Sequence, residues 1–362
     1  MYKRLWPLAA AVGACFLCGA SYPQPNEGEF TVSNYRFTDG ETLSGVRIHY
    51  TTLGTPVRDS HGTVRNAILI MHGTGGSAGQ FLNPIFAGEL FGPGQPLDVS
   101  KYYIIMPDDI GHGKSSKPSD GLHMRFPQYG YEDMVDLEHR LVVDGLQVNH
   151  LRLVFGTSMG CMHAWLWAEH YDTFADGYMP MACLPHQISG RNRMWRRMVM
   201  DSILNDPDFH NGEYSTQPHG LIEAEYILMM VGSSPLRYQQ AGPTLQQADA
   251  YFDKLVAAYL DGADANDTVY QVAASRDYDP EPGLDKIIAP VLAINSADDQ
   301  INPPELHIAE PLIKRVPHGR FVLLPISDST YGHGTHTHAA AWKNYLIDFL
   351  KQTSKPDQAP AH

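Results

Sequence analysis

The sequence predicts an α/β fold, with a mostly parallel central sheet, helices on both faces and a helical cap inserted late in the chain. Three observations predict it. Short apolar runs near 66–72, 102–107, 151–155, 177–182, 290–295 and 320–325 recur, with helix-length spacers between several of them. Ahead of them, Glu29 to Tyr35 and Gly45 to Thr52 alternate in polarity around the Thr38-Asp39-Gly40 turn, the pattern of an antiparallel pair. Between 184 and 284 the strand spacing lapses into a stretch rich in Met, Arg, Tyr and helix formers. An insertion there would sit above the sheet and shape a pocket.

Taken in order, the chain begins with Met1-Tyr2-Lys3-Arg4, an apolar segment from Leu5 to Leu17, and then Cys18-Gly19-Ala20. A basic start, a short apolar core and a small-residue end predict a signal peptide over residues 1–20, hence a periplasmic or secreted protein. The apolar core is interrupted by Pro7 and too short to span a bilayer. Lipid attachment at Cys15 or Cys18 stays open, because Val12-Gly13-Ala14-Cys15 resembles a lipoprotein signal. Without Lys3 and Arg4 the mature chain has 24 basic against 40 acidic residues, a net charge of −16. Such a surface excludes nucleic acid and anionic membranes as natural partners and leaves small molecules; a homodimer stays open.

The run Arg65 to Met71 reads as a buried strand ending in His72-Gly73-Thr74-Gly75-Gly76. A glycine-rich loop after a strand lets backbone N–H groups approach a substrate oxygen. Thr74 is the preferred donor by position, Gly75 the reserve, with Gly73 beside them. Another loop, Asp108 to Ser115, follows the next strand at the same sheet edge, and Tyr129 to Val148 has an apolar helical period.

Leu151 to Phe155 then meets Gly156-Thr157-Ser158-Met159-Gly160, after which an apolar helical pattern starts. A strand, a sharp turn and a helix with a serine at the apex present that hydroxyl as a nucleophile. The flanking glycines leave room for the turn, and the Met159 N–H pairs with that of Thr74 as an oxyanion site. Cys161 and Cys183 are expected as buried thiols, with a disulfide as the alternative if the compartment is oxidising.

A nucleophile needs an orienting acid and a base. The strand Pro290 to Asn295 opens into Ser296-Ala297-Asp298-Asp299, which offers two candidate acids. The strand Phe321 to Pro325 is followed by Tyr331-Gly332-His333-Gly334-Thr335-His336-Thr337-His338. His333 lies between glycines in the loop before the last helix and is the candidate base. His336 and His338 read as helix-start residues at the site mouth rather than metal ligands, since no other cluster completes a site. No metal or cofactor is expected. Arg191, Arg193, Trp195, Arg196 and Arg197 open the insertion and read as a solvated face paired with acids, with binding of an anionic substrate as the alternative. The resulting division is a core over 21–183, a cap over 184–284, a second core segment over 285–350 and a disordered tail over 351–362.

The order Ser, Asp, His matches the α/β-hydrolase arrangement. Over most of 45–350 the chain further resembles the homoserine O-acetyltransferase family. The shared features are Gly156 to Met162, Asn205-Asp206-Pro207 with Gly212-Glu213-Tyr214, Asp264-Ala265-Asn266-Asp267, Asp277-Tyr278-Asp279, and Asp299 through Pro304. The resemblance implies a Ser158, Asp299, His333 triad under a helical cap. It favours Asp299 over Asp298 because related enzymes place a proline four residues after the acid, and Pro303 fits. Asp298 is then a solvated or turn-capping residue.

Two substrate-binding positions depart from that family. It places an aspartate directly after the catalytic histidine for the substrate's amino group, where this chain has Gly334. It carries a cap arginine for the substrate carboxylate, where this chain has Glu225. The expectation is therefore an exported serine hydrolase acting on a small ester. An O-acyltransferase of the homoserine O-acetyltransferase type is the second reading, and a catalytically silent binding protein on the same scaffold is the third.

Overall fold

The computed structural model describes residues 22–354. The expected signal peptide, the two candidate lipidation cysteines and residues 355–362 of the expected tail lie outside them. Eight strands form one sheet in the order β1-β2-β4-β3-β5-β6-β7-β8. They are β1 (Asn26–Arg36), β2 (Thr42–Leu53), β3 (Ala67–Met71), β4 (Tyr103–Pro107), β5 (Leu153–Thr157), β6 (Tyr178–Met181), β7 (Val291–Ser296) and β8 (Gly319–Leu324). The β1–β2 and β2–β4 pairs are antiparallel and the remaining pairs parallel.

Every residue of β3 to β7 is buried. That is why these strands read as unbroken apolar runs rather than as alternating ones: both faces of the sheet are covered. On one face, Tyr131, Trp165 and Trp167 belong to a core built on α2 (Tyr131–Arg140) and α3 (Met159–His170). On the other, Phe81, Phe86, Phe155 and Trp342 pack with α1 (Ala87–Leu90) and the C-terminal helix.

Five helices lie between β6 and β7: α4 (Gly190–Leu204), α5 (His219–Gly232), α6 (Pro235–Ala241), α7 (Leu245–Leu260) and α8 (Ala265–Ala273). They have a small core of their own, in which Trp195, Val199, Ile203, Leu221 and Val269 pack together. The chain ends in α9 (Ala309–Ile313), β8 and α10 (Lys343–Gln352). Lys351 and Gln352 are therefore helical, a correction to a tail expected to be disordered from 351. The buried Arg152 holds this end, donating to the Thr353 hydroxyl at 2.9 Å and to the Leu350 carbonyl. No helix among the described residues is long and apolar enough to cross a membrane.

Candidate active site

The sheet order places β3 between β4 and β5, so the loops after β3 and β5 meet at the carboxyl edge, where open α/β sheets bind ligands. Ser158 sits at the tip of β5 with φ 55° and ψ −109°, a conformation disfavoured for a residue with a Cβ. The turn is held tightly against its neighbours. A Cβ on Gly156 would overlap the Gly160 carbonyl, and one on Gly160 would overlap that of Met71. The Gly160 N–H donates to the His72 carbonyl at 2.9 Å, tying the serine turn to the loop after β3. Strain at Ser158 is thus imposed by close backbone packing on both sides.

The three candidate reacting side chains, from three separate loops, form one hydrogen-bonded chain. His333 Nε2 lies 2.8 Å from Ser158 Oγ, and His333 Nδ1 lies 2.9 Å from Asp299 Oδ2. Asp299 is almost wholly buried, and both its oxygens are engaged. Oδ1 accepts from the N–H groups of Ile301 (2.7 Å) and Asn302 (3.2 Å), and Oδ2 also accepts from Asn302 Nδ2 (3.1 Å). Burial alone would push this carboxyl up. The neighbouring His333 ring and these donors outweigh it and hold Asp299 below its ordinary range. Asn302 was missed by sequence reasoning; its only signal was its place three residues beyond the acid.

Asp298 is a correction. It is buried rather than solvated, and its Oδ2 accepts the Gly332 N–H at 3.0 Å. The two adjacent aspartates thus hold the same loop, Asp299 by the ring of His333 and Asp298 by the backbone just before it. His336 is also buried rather than at the site mouth, its ring 5.2 Å from that of His333. Burial pushes His336 down to about 3, so it is neutral. His338 stacks on Tyr331 at 3.6 Å.

Facing Ser158 is the loop after β3. A Cβ on Gly73 would stand 3.2 Å from Ser158 Cβ, so this glycine leaves space directly before Ser158. Gln80 fixes the loop, accepting from the Gly73 N–H at 3.2 Å and donating to the Thr157 hydroxyl at 3.0 Å. Thr74 and Gly75 line the cavity with Ser158 and His333. Met159 opens α3, where its N–H has no acceptor within the helix.

The cavity measures about 630 Å³ and is lined in part by the insertion, including Trp195, Arg196, Glu225 and Tyr259. Glu225, on α5, is 6% exposed, and burial pushes its carboxyl up to about 7. Gly334 opens the turn after His333. Atoms around a Cβ there begin at 3.7 Å, so a side chain would fit. The arginine run divides. Arg197 pairs with Asp201 at 2.7 Å on the surface, whereas Arg196 is buried, 4.7 Å from the Trp195 ring centroid, and donates to Asn192 and Ser275. An all-solvated reading of that run is corrected because α4 turns the Arg196 side toward the core.

Cys161 and Cys183 form a disulfide, with Cα atoms 5.9 Å apart, correcting the expectation of two free thiols. Cys161 is in the first turn of α3 and Cys183 lies two residues beyond β6, positions brought together by the β5–β6 pairing. Spacing alone could not supply that proximity. The bridge also forms part of the cavity wall, through Cys183.

Two clusters among the described residues bring carboxylates and a histidine together at metal-ligand spacing: buried Asp109, Glu138 and His163, and superficial His186, Asp279 and Glu281. Neither includes His336 or His338. In the buried cluster, Glu138 accepts from His163 Nδ1 at 2.7 Å and Trp167 Nε1 at 2.6 Å. Burial, reinforced by the Glu138 charge, pushes Asp109 well above its ordinary range. Burial pushes Glu138 up as well, to about 7, and neither carboxyl oxygen of Asp109 has a hydrogen-bond partner among the described residues.

These features define the class. The alpha/beta hydrolase fold model matches residues 66–336, three quarters of the chain, and the chain belongs to that family. A homoserine O-acetyltransferase of Chlorobaculum tepidum is 28% identical over 328 residues, covering 81% of this chain and 85% of that protein. Among solved structures, the homoserine O-acetyltransferase of Bacillus anthracis superposes with a TM-score of 0.77 at 22% identity, over 90% of this chain and 97% of that one. Esterase E22 superposes with a TM-score of 0.79 at 20% identity, over 90% and 100%. At such identities the structural likeness speaks for the fold, which transferases and esterases share.

Proposed function

We propose that the protein is an exported serine hydrolase that cleaves a small ester through an acyl-enzyme on Ser158. The observation that carries this reading is the Asp299–His333–Ser158 hydrogen-bonded chain opening onto a cavity whose charged positions do not suit homoserine. Ser158 Oγ attacks the ester carbonyl as His333 Nε2 takes its proton, and His333 then returns that proton to the departing alcohol. Asp299 fixes Nδ1–H toward itself, which leaves Nε2 as the lone pair facing the serine. The N–H groups of Met159 and Thr74 receive the oxyanion, with Gly73 and Gly75 keeping the approach open. Water, activated by His333, then releases the acyl group.

Glu225 and Gly334 decide between hydrolysis of a neutral or cationic ester and transfer to homoserine. A carboxyl in place of an arginine repels the amino acid's carboxylate, and a glycine offers its ammonium group nothing. Each lost charged partner is worth about 1.5–3 kcal/mol. The names of the sequence relatives favour the second reading, acyl transfer, in which an alcohol intercepts the same acyl-enzyme. The deciding experiment compares turnover of a short-chain aryl ester with acetyl-CoA consumption in the presence of homoserine. Ester hydrolysis should dominate by orders of magnitude, and Gly334→Asp with Glu225→Arg should improve homoserine use; efficient transfer by the unaltered protein would overturn the hydrolase reading.

Export rests on the basic, apolar and small-residue progression of the first twenty residues and is supported by the Cys161–Cys183 bridge. Mass spectrometry of the protein from cell fractions tests it. A mature chain starting at Ser21 in the periplasm or medium is expected; an intact Met1 chain in the cytoplasm would refute it.

A further inference from the structure

Five charged side chains besides Glu225 line the catalytic cavity: Lys117, Arg196, Asp261, Asp264 and Asp267. Four of them are committed to other groups and the fifth faces solvent. Lys117 pairs with Asp120 at 2.7 Å, and Arg196 donates to Asn192 and Ser275. Asp264 accepts from Tyr214 and Gln217, and Asp267 from the Ser119 backbone and hydroxyl. Asp261 is exposed. Glu225 alone is buried within the cavity wall with no hydrogen bond or ion pair to any described residue.

The Glu225 oxygens keep a little contact with the open cavity, and a carboxyl so nearly buried with no donor is unfavourable when ionised. A wall that faces substrate is where such a group can persist, because the ligand can supply the missing partner. A neutral hydroxyl would donate one hydrogen bond but leave the charge buried. A protonated amine supplies both the donor and the counter-charge, so both groups can leave water together. The whole chain adds to this preference. With 40 acidic against 26 basic residues, it draws cations toward its surface.

We propose that Glu225 is a specificity-determining group that binds a protonated amine on the ester substrate, so that amino esters are preferred over neutral esters of the same shape. This rests on the hydrolase reading above. The Glu225 carboxyl, held up to about 7 by burial, would be drawn into its ionised form by the incoming cation. The Tyr259 phenol on α7 feels the Glu225 charge, and burial pushes that phenol up.

Two isosteric pairs test the proposal, one with the amine on each side of the scissile bond. These are 2-(dimethylamino)ethyl acetate against 3-methylbutyl acetate, and ethyl 4-(dimethylamino)butanoate against ethyl 5-methylhexanoate. Measured above the Glu225 value of about 7, kcat/KM should favour the amine by tenfold or more in at least one pair, mostly through KM. In Glu225→Gln that ratio should fall toward one. A ratio near one in both pairs for the unaltered protein, or a ratio that survives in Glu225→Gln, would overturn the proposal. So would preference for the anionic 3-acetoxypropanoate over both acetates, which would assign selection to Arg196.

Failure of the hydrolase reading looks different: no ester is turned over, and Ser158→Ala behaves like the unaltered protein. The amine site is then read by calorimetric titration of 2-(dimethylamino)ethyl acetate into Ser158→Ala. Binding at least tenfold weaker when Glu225→Gln is added supports the site, and equal binding refutes it.

Discussion

Along the carboxyl edge of the sheet, the polar side-chain atoms of Ser158, His333 and Asp299 are all partnered; Glu225, on α5 and lining the same cavity, has no partner among the described residues. The first region rests on strands buried on both faces and on tight backbone contacts. The second rests on inserted helices with a separate small core, and α7 buries no residue fully. Under the proposed function, the contrast separates two tasks. Bond chemistry needs a geometry already made before substrate arrives, so its hydrogen bonds are internal. Selection needs a group whose best partner is the substrate, so its hydrogen-bonding capacity is left open.

The largest expected effect breaks the fully partnered side. Ser158→Ala should lower ester hydrolysis by about 10⁴–10⁶-fold, as loss of a serine nucleophile does elsewhere, with the fold unchanged. A fluorophosphonate probe should label Ser158 and lose its target in this variant. Labelling of another serine in the unaltered protein would remove Ser158 from the mechanism.

Next in size is the difference between two neighbours. Asp299→Asn keeps the shape but offers His333 Nδ1 an amide that can favour the wrong tautomer, and about 10⁴-fold loss in kcat is expected. Asp298→Asn removes charge from an acceptor of one backbone N–H, that of Gly332, and about tenfold loss follows from a loosened His333 loop. Both kcat values come from steady-state assays on one ester. Equal losses would mean that Asp298 and Asp299 act as one unit and that the single contact to His333 does not set the hierarchy.

The same contrast explains what could be read from the sequence. Strands β3 to β7 were legible because apolar runs record burial on both faces, and the serine turn because Gly156 and Gly160 record backbone clashes that any Cβ would create. His333 and Asp299 followed from their places at strand ends together with the family resemblance. What stayed hidden depends on pairing across long sequence separations. The Cys161–Cys183 bridge needs the β5–β6 register, the hold of Asp298 on Gly332 needs the juxtaposition of two loops, and the burial of Arg196 needs the docking of α4. Single-chain periodicity contains none of these distances.

The disulfide joins the helix after Ser158 to the cavity wall, so its removal should loosen the boundary between the two regions. A bridge spanning 22 residues is worth about 3 kcal/mol in the chain-entropy account. Cys161→Ala with Cys183→Ala should therefore lower stability in urea by that amount, with a somewhat steeper slope because the unfolded chain loses its cross-link. Added reductant should move the unaltered protein toward the double variant and leave the variant where it is. A double variant as stable as the parent would show that packing around α3 already holds the wall.

The smallest expected effect tests the unpartnered side without any substrate. The Glu225 carboxyl sits near 7 in the folded protein against an ordinary 4.5, because burial disfavours its charge. The folded state therefore holds this proton more tightly than the unfolded chain does. The stability linked to it is fully present below 4.5 and is lost as pH rises through 7. The full shift corresponds to about 3 kcal/mol, and access of solvent to the cavity reduces that to about 1–2 kcal/mol. Glu138 and Asp267, also pushed up by burial, to about 7 and about 6, bend the profile the same way, so the informative quantity is a difference. Relative to the parent, Glu225→Gln should gain about 1–2 kcal/mol in urea unfolding on going from pH 4.5 to pH 8.5, since an amide has no proton to lose. A parent-to-variant difference that stays constant with pH would mean that the carboxyl ionises as freely folded as unfolded. Glu225 would then be solvated or partnered after all, and the contrast between the two walls of the cavity would fail.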